Sequence, residues 1–167
     1  TSLVEYDDCV NLLKGAVECS NWVSTVSPTY AQEIMDPWFS YKLDGILKER
    51  SWKLSGILNG IDTKNYDPET DSDIYAPYSA THPEGKAVNK QKLQERLGLE
   101  QNSDIPLIGM VTRMVSAKGL DLVIEGLDQI MCSNNVQFVI LGSGDFEYES
   151  FFRSMQDKYP GRLVACQ

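Results

Sequence analysis

Histidine is nearly missing from this chain: His82 is the only one among 167 residues. A lone imidazole excludes a catalytic or metal centre built on clustered histidines. Cysteine is sparse as well, and Cys9, Cys19, Cys132 and Cys166 show neither a C-x-x-C pair nor another metal spacing. If Cys9 and Cys19 share one helix, they lie roughly 15 Å apart along its axis, too far for a disulfide. A reduced, cytoplasmic setting is therefore expected. No apolar run approaches the roughly 20 residues that span a bilayer. The start, TSLVEYDDC, lacks the basic-then-apolar pattern of a signal peptide. Positive charge is also short: 15 Lys and Arg stand against 24 Asp and Glu, a net charge of −9. That balance argues against nucleic acid or an anionic membrane as partner. An anionic ligand must then be held by a local site.

What is present is ordinary for a globular protein, 42% hydrophobic and 23% charged. Residues 107–112 form a short apolar run behind Pro106, which predicts a buried strand. From Ser116 the period becomes helical, with Leu120, Val123, Ile124, Leu127, Ile130 and Met131 on one face. Residues 136–141 form a second strand, ending in Gly142-Ser143-Gly144-Asp145. A helix through Tyr148, Phe151, Phe152, Met155 and Tyr159 follows, and 162–166 begin a third strand. This is a βαβ series with a parallel sheet. Right-handed crossovers place both turns at one edge, where ligands bind against helix N-termini. Arg113 and Lys118 lie in the first of these turns. From that turn alone the pair reads equally well as solvated charges. With both turns on one edge of the sheet, a phosphate-sized anion site is the better reading.

Two familiar phosphate motifs are missing. A G-x-G-x-x-G fingerprint needs glycine at 147, where Glu147 stands, and no Walker A lysine motif occurs.

Upstream, residues 3–20 read as an amphipathic helix carrying Cys9, Leu12, Leu13, Ala16 and Val17 on one face. Residues 22–26 read as a strand, followed by a short helix capped by Ser27-Pro28. Residues 38–50 read as loop with a short helix, and 54–58 as a strand ending in Asn59-Gly60-Ile61-Asp62. Trp22, Trp38 and Trp52 are expected in core or interface packing. Residues 63–84 are an irregular connector, and 85–97 a polar helix with a solvated charged face, closed by Gly98. The first part offers too few strands for a sheet of its own, and the last predicted strand meets the end of the chain. Both ends read as cut, as in a piece of a larger protein.

At the residue level, this chain resembles the bacterial glycogen synthases and plant starch synthases. The matching runs are Leu12-Leu13-Lys14-Gly15-Ala16, Thr25-Val26-Ser27-Pro28-Thr29-Tyr30-Ala31, Gly56-Ile57-Leu58-Asn59-Gly60-Ile61-Asp62 and Asp67-Pro68-Glu69-Thr70-Asp71. They continue with Lys86, Asn89-Lys90, Leu93-Gln94, Leu97-Gly98-Leu99, then Arg113 with Lys118-Gly119-Leu120-Asp121, and Leu141-Gly142-Ser143-Gly144-Asp145. The resemblance implies an α/β fold, the Rossmann-like parallel sheet of a two-domain GT-B glycosyltransferase, incomplete at both ends. It implies residues 1–58 as the end of an N-terminal domain, 59–84 as hinge and connector, and 85–167 as the first half of a C-terminal nucleotide-binding domain.

The implied reaction moves glucose from ADP-glucose to the non-reducing end of an α-1,4-glucan with retention. The active site lies between the domains and uses no metal or cofactor. Arg113 and Lys118 then hold the donor diphosphate and act in catalysis, Asn59 lies near the donor sugar, and Gly142 and Gly144 let backbone approach the nucleotide. The implied setting is cytoplasmic in a bacterium and plastidic in a plant. Phe39-Ser40-Tyr41-Lys42-Leu43 departs from the family's glycine-rich F-G-x-G-L. Met114 and Ala117 replace the usual Leu and Gln. The family's upstream Lys-Gly-Gly loop and histidine and its downstream Glu-Pro-Cys-Gly segment have no counterpart here. Two other readings stay open: a related glycosyltransferase with another donor or acceptor, such as a sucrose-forming or sucrose-cleaving enzyme, and a noncatalytic nucleotide- or glucan-binding module.

Overall fold

A computed structural model describes residues 2–166. The chain divides into two compact units between Thr63 and Lys64.

The first unit opens on an antiparallel hairpin, β1 (Glu5–Tyr6) with β2 (Cys9–Val10). Asp7 and Asp8 turn it at φ of 54° and 58°, a left-handed pair that a two-residue hairpin loop requires and aspartate tolerates. The helix expected over 3–20 is therefore shorter. It is α1 (Leu12–Cys19), begun by Asn11, whose side chain accepts the Lys14 N–H at 2.9 Å. Val17 is buried, while Leu12 and Leu13 are exposed, so the expected apolar face packs only in part.

After β3 (Val23–Val26) come α2 (Pro28–Glu33), α3 (Asp44–Glu49) and β4 (Leu54–Ile57). β3 and β4 pair in parallel, Val23 opposite Leu54, so this part does form a sheet, of two strands. Val17, Ile46 and Leu47 make the small core against Val23, Ile34 and Leu43.

The three tryptophans are not in that core: Trp22, Trp38 and Trp52 are 61%, 86% and 71% exposed. The Trp22 indole N–H donates to Ser55 Oγ at the surface, 2.8 Å away. The buried place beside it belongs to Lys53. The Lys53 ammonium donates to the carbonyls of Glu18 (3.2 Å) and Ser20 (2.8 Å), groups that the end of α1 leaves without helical partners.

The loop that lacks the family's glycines keeps a glycine-like backbone. Tyr41 has φ 49° and Lys42 φ 71°. The hairpin holds this loop from outside: the Tyr6 hydroxyl donates to the Lys42 carbonyl, and the Lys42 ammonium meets Asp7 Oδ2 at 2.6 Å. The hydrogen bond to Asp7, and then its charge, push the Lys42 pKa up.

In the second unit, residues 64–84 are irregular, as expected, but bound to α4 (Gly85–Leu97). Asn89 makes the clamp: its Oδ1 accepts the N–H groups of Tyr75 and Ala76 at 2.8 and 3.2 Å. Its Nδ2 donates to the carbonyls of Ala76 and Gly85 at 2.7 and 2.9 Å. Gly98 closes α4 at φ 65°. Lys90 is not on the solvated face; it is half-buried and donates to the carbonyls of Ser103 (2.7 Å) and Ile105 (2.5 Å).

The expected βαβ series follows as β5 (Leu107–Val111), α5 (Leu120–Ser133), β6 (Gln137–Leu141), α6 (Phe146–Lys158) and β7 (Leu163–Cys166). All three strands are parallel, in the order β5-β6-β7. Leu120, Leu127 and Met131 of α5 pack with Ile140, Phe152 and Leu163 in the core, while Ile130 is left at the surface. A buried amide pair pins the N-terminal end of β6. Gln94 Nε2 donates to Gln137 Oε1 at 2.8 Å, and Gln137 Nε2 donates to the Glu100 carbonyl at 2.6 Å.

The left-handed backbone at Lys42 separates two truncations of the same side chain. Both Lys42→Ala and Lys42→Gly remove the exposed ion pair, whose worth is small. Only glycine relieves the conformation, so Lys42→Gly is expected to be more stable than Lys42→Ala by about 1 kcal/mol in urea unfolding.

Candidate functional site

Past Val111 the chain leaves the sheet in an extended segment that alternates outward and inward. Arg113 points to solvent and Met114, 1% exposed, plugs into the core. Met114 is thus the anchor that sends its neighbour out. A 3₁₀ turn, Ser116–Lys118, follows, and then Gly119 at φ 69° turns the chain into α5. No side chain caps the start of α5, so its first N–H groups keep the anion preference of a helix N-terminus.

The second turn runs against the first. The Thr112 N–H donates to the Leu141 carbonyl at 3.1 Å, and the Met114 N–H to the Ser143 carbonyl at 2.9 Å. The Asp145 N–H donates back to the Met114 carbonyl at 2.8 Å. Gly144 bridges Met114 in parallel register, so the ladder between β5 and β6 continues into the loops.

The glycines make this approach possible. A Cβ on Gly142 would stand 1.8 Å from the Thr112 carbonyl oxygen, and one on Gly144 2.3 Å from that of Met114. Their glycine character serves the chain's own backbone at these contacts. The Gly144 N–H is also occupied, donating to Glu149 Oε1 at 2.9 Å.

Arg113, Lys118, Gly142 and Gly144 therefore belong to the two turns at the carboxyl edge of one parallel sheet, as the βαβ pattern requires. Arg113 and Lys118 are both exposed, and among the described residues neither side chain has an ion-pair or hydrogen-bond partner. Asn59 belongs to the first unit, exposed in the extended segment after β4. Among the described residues no three His, Cys, Asp or Glu side chains stand together as a metal site, and no helix is long and apolar enough to cross a membrane. A cavity of about 690 Å³ in the second unit, lined by Ile74, Tyr75, Tyr78, Leu93, Pro106 and Leu107 among others, contains none of these residues.

One contact escaped sequence reasoning. Tyr148 reads as an apolar position on the inner face of α6, and its ring is buried there, but its hydroxyl donates to Asp121 Oδ1 at 2.8 Å. That bond ties the first turn of α6 to the first turn of α5. A buried tyrosine must place its hydroxyl on some partner, which was the available signal.

The family model described as starch synthase catalytic domain matches residues 1–49. Over nearly the whole chain, 160 residues are 48% identical to the glycogen synthase of Pseudothermotoga lettingae, covering 96% of this chain and 33% of that protein. The glycogen synthase of Thermosipho africanus is 48% identical over 162 residues, 97% of this chain and 33% of its own length. Along its own length the chain is similar to glycogen and starch synthases. The catalytic domain of starch synthase IV from Arabidopsis thaliana, solved bound to ADP and acarbose, superposes with a TM-score of 0.86 at 36% identity. That match covers 96% of this chain and 33% of the plant one, and its fold is the GT-B type. The chain thus spans about a third of the length of the relatives it matches.

Glycine substitutions test the loop contact. Gly142→Ala and Gly144→Ala are expected to cost about 1–3 kcal/mol, as overpacking does. A Cβ on Gly126, inside α5, meets nothing closer than 4.0 Å, so Gly126→Ala is expected to stabilise by about 1 kcal/mol through helix propensity. Denaturant midpoints of the three variants check both signs.

Proposed function

We propose that this chain is a portion of a glycosyltransferase that transfers glucose from ADP-glucose to the non-reducing end of an α-1,4-glucan, with retention. The observation that carries the reading is the pair Arg113 and Lys118, exposed and unpaired at the carboxyl edge of a parallel sheet, in a chain 48% identical to glycogen synthases. The solved plant relative, bound to ADP and acarbose, supports a nucleotide and a glucan-like oligosaccharide as ligands. As the bond from glucose to the diphosphate breaks, negative charge accumulates on the departing ADP. Fixed cations stabilise that charge more in the transition state than in the ground state, which raises kcat. Arg113 supplies a planar fork for two phosphate oxygens, and Lys118 a compact charge.

The same reading puts Asn59 beside the donor sugar, assigns the hinge to residues 59–84, and calls for no resident metal or cofactor. The four free cysteines suit a reducing setting, cytoplasmic in a bacterium or plastidic in a plant.

The test is made in the full-length synthase that carries this segment. Arg113→Ala and Lys118→Ala are each expected to lower kcat about 10²–10³-fold in ADP release from ADP-glucose and glycogen. Thermal melts should be unchanged, because both side chains face solvent. Arg113→Lys should be impaired too, since an ammonium cannot reproduce the fork. Near-normal turnover in both alanine variants would refute the diphosphate assignment. In the same assay the 167-residue chain alone is expected to release no ADP above background, because the resemblance puts the rest of the donor site elsewhere; turnover at the full-length rate would overturn that division of the site.

A further inference from the structure

Lys118 is unpaired although a carboxylate lies close by in sequence. Asp121 is three residues further on, a separation that keeps the two Cα atoms within about 11 Å. Both side chains are exposed, and the lysine stem is long and flexible. At that separation an exposed ammonium and carboxylate attract one another weakly. The structure gives the Asp121 carboxylate another partner, the Tyr148 hydroxyl at 2.8 Å.

That hydroxyl cannot wander, because the Tyr148 ring is buried in the cluster formed by Met114, Leu120 and Phe152 among others. We propose that Tyr148 is a positioning residue: by holding the Asp121 carboxylate it keeps the Lys118 ammonium free for the diphosphate. The inference rests on the function proposed above, and adds that one tyrosine hydroxyl sets the strength of the phosphate site without touching the ligand. The hydrogen bond to Asp121, then burial, then the charges of Asp121, Glu147 and Asp145 raise the Tyr148 pKa, so the phenol stays protonated and remains a donor at neutral pH.

A merely structural hydroxyl and a carboxylate holder give different results in a mutant cycle. ADP affinity is measured by calorimetry on the full-length synthase. Tyr148→Phe keeps the ring and removes only the hydroxyl. The freed Asp121 carboxylate then competes for Lys118, and ADP binding should weaken about two- to fivefold, the scale of an exposed ion pair. Raising the salt concentration should shrink that difference. In an Asp121→Asn background the carboxylate that Tyr148 holds is gone, so adding Tyr148→Phe should change the ADP Kd less than about 1.5-fold.

An equal loss in both backgrounds, or no loss in either, overturns the proposal. Lys118→Ala separates this failure from failure of the phosphate reading. If Lys118→Ala weakens ADP binding while Tyr148→Phe does not, only the positioning role falls. If Lys118→Ala leaves the Kd unchanged, both fall together.

Discussion

Where the β6–α6 turn crosses the end of β5, two backbones pass at a distance that no side chain but glycine's allows. The carbonyl oxygens of Thr112 and Met114 stand where Cβ atoms of residues 142 and 144 would be. Three backbone hydrogen bonds hold the contact closed, from Thr112, Met114 and Asp145. The consequence reaches Arg113, which sits between the two residues so fastened, with Met114 sunk in the core behind it. Its backbone is fixed on both sides while its side chain is left in water. The diphosphate role proposed for Arg113 needs that combination, since charge stabilisation depends on groups already in place.

The first unit repeats the device with other residues. A Cβ on Gly56 of β4 would lie 2.1 Å from the Ser27 carbonyl oxygen, and the Ser27 N–H donates to the Ile57 carbonyl at 2.9 Å. Here too the turn after one parallel strand is pressed onto the next strand through a glycine. Ser27 takes φ 86° to make that turn, a conformation costly for a residue with a Cβ. Its hydroxyl accepts the Tyr30 N–H at 3.2 Å and starts α2. Both stretches fall in runs that match the synthase family. The parallel is physical: a βα turn at a strand's carboxyl end must stay low and tight if the next segment is to be presented above the sheet.

The second unit was readable because its pattern is governed by local rules. Apolar strands, 3.6-residue periodicity and the closing Gly98 leave little room for another arrangement of β5 to β7. The first unit was harder for a reason visible at Asn11 and Asp7-Asp8. Leu12, Leu13 and Val17 share helical spacing with residues before them, so periodicity carried the predicted helix back through a hairpin. The turn chemistry of two adjacent aspartates outweighed that signal. The tryptophans misled similarly: large aromatics are usually buried, but the buried place at this edge went to Lys53, whose ammonium satisfies the end of α1. At the two turns, the positions of Arg113 and Lys118 were legible and the contacts of their neighbours were not. Tyr148 reaches the Asp121 carboxylate, 27 residues away, and no spacing rule reports such a pair.

The charge pattern explains how an acid-rich chain can leave Arg113 and Lys118 unpaired. With a net charge of −9, carboxylates outnumber ammonium and guanidinium groups, and many cations are taken. Lys42, Lys48, Arg50, Lys92, Arg153 and Lys158 meet carboxylates. Lys53, Lys90 and Arg162 are spent on backbone carbonyls. Around the two turns two carboxylates are engaged elsewhere, Asp121 by Tyr148 and Glu149 by the Gly144 amide and Arg153, while Asp145 and Glu147 are exposed. Leaving Arg113 and Lys118 unpaired costs little stability, because exposed ion pairs contribute little in the first place. What the fold must invest in is restraint of the nearby acids. For Asp121 and Glu149 that restraint is made of one buried ring, one backbone amide and Arg153.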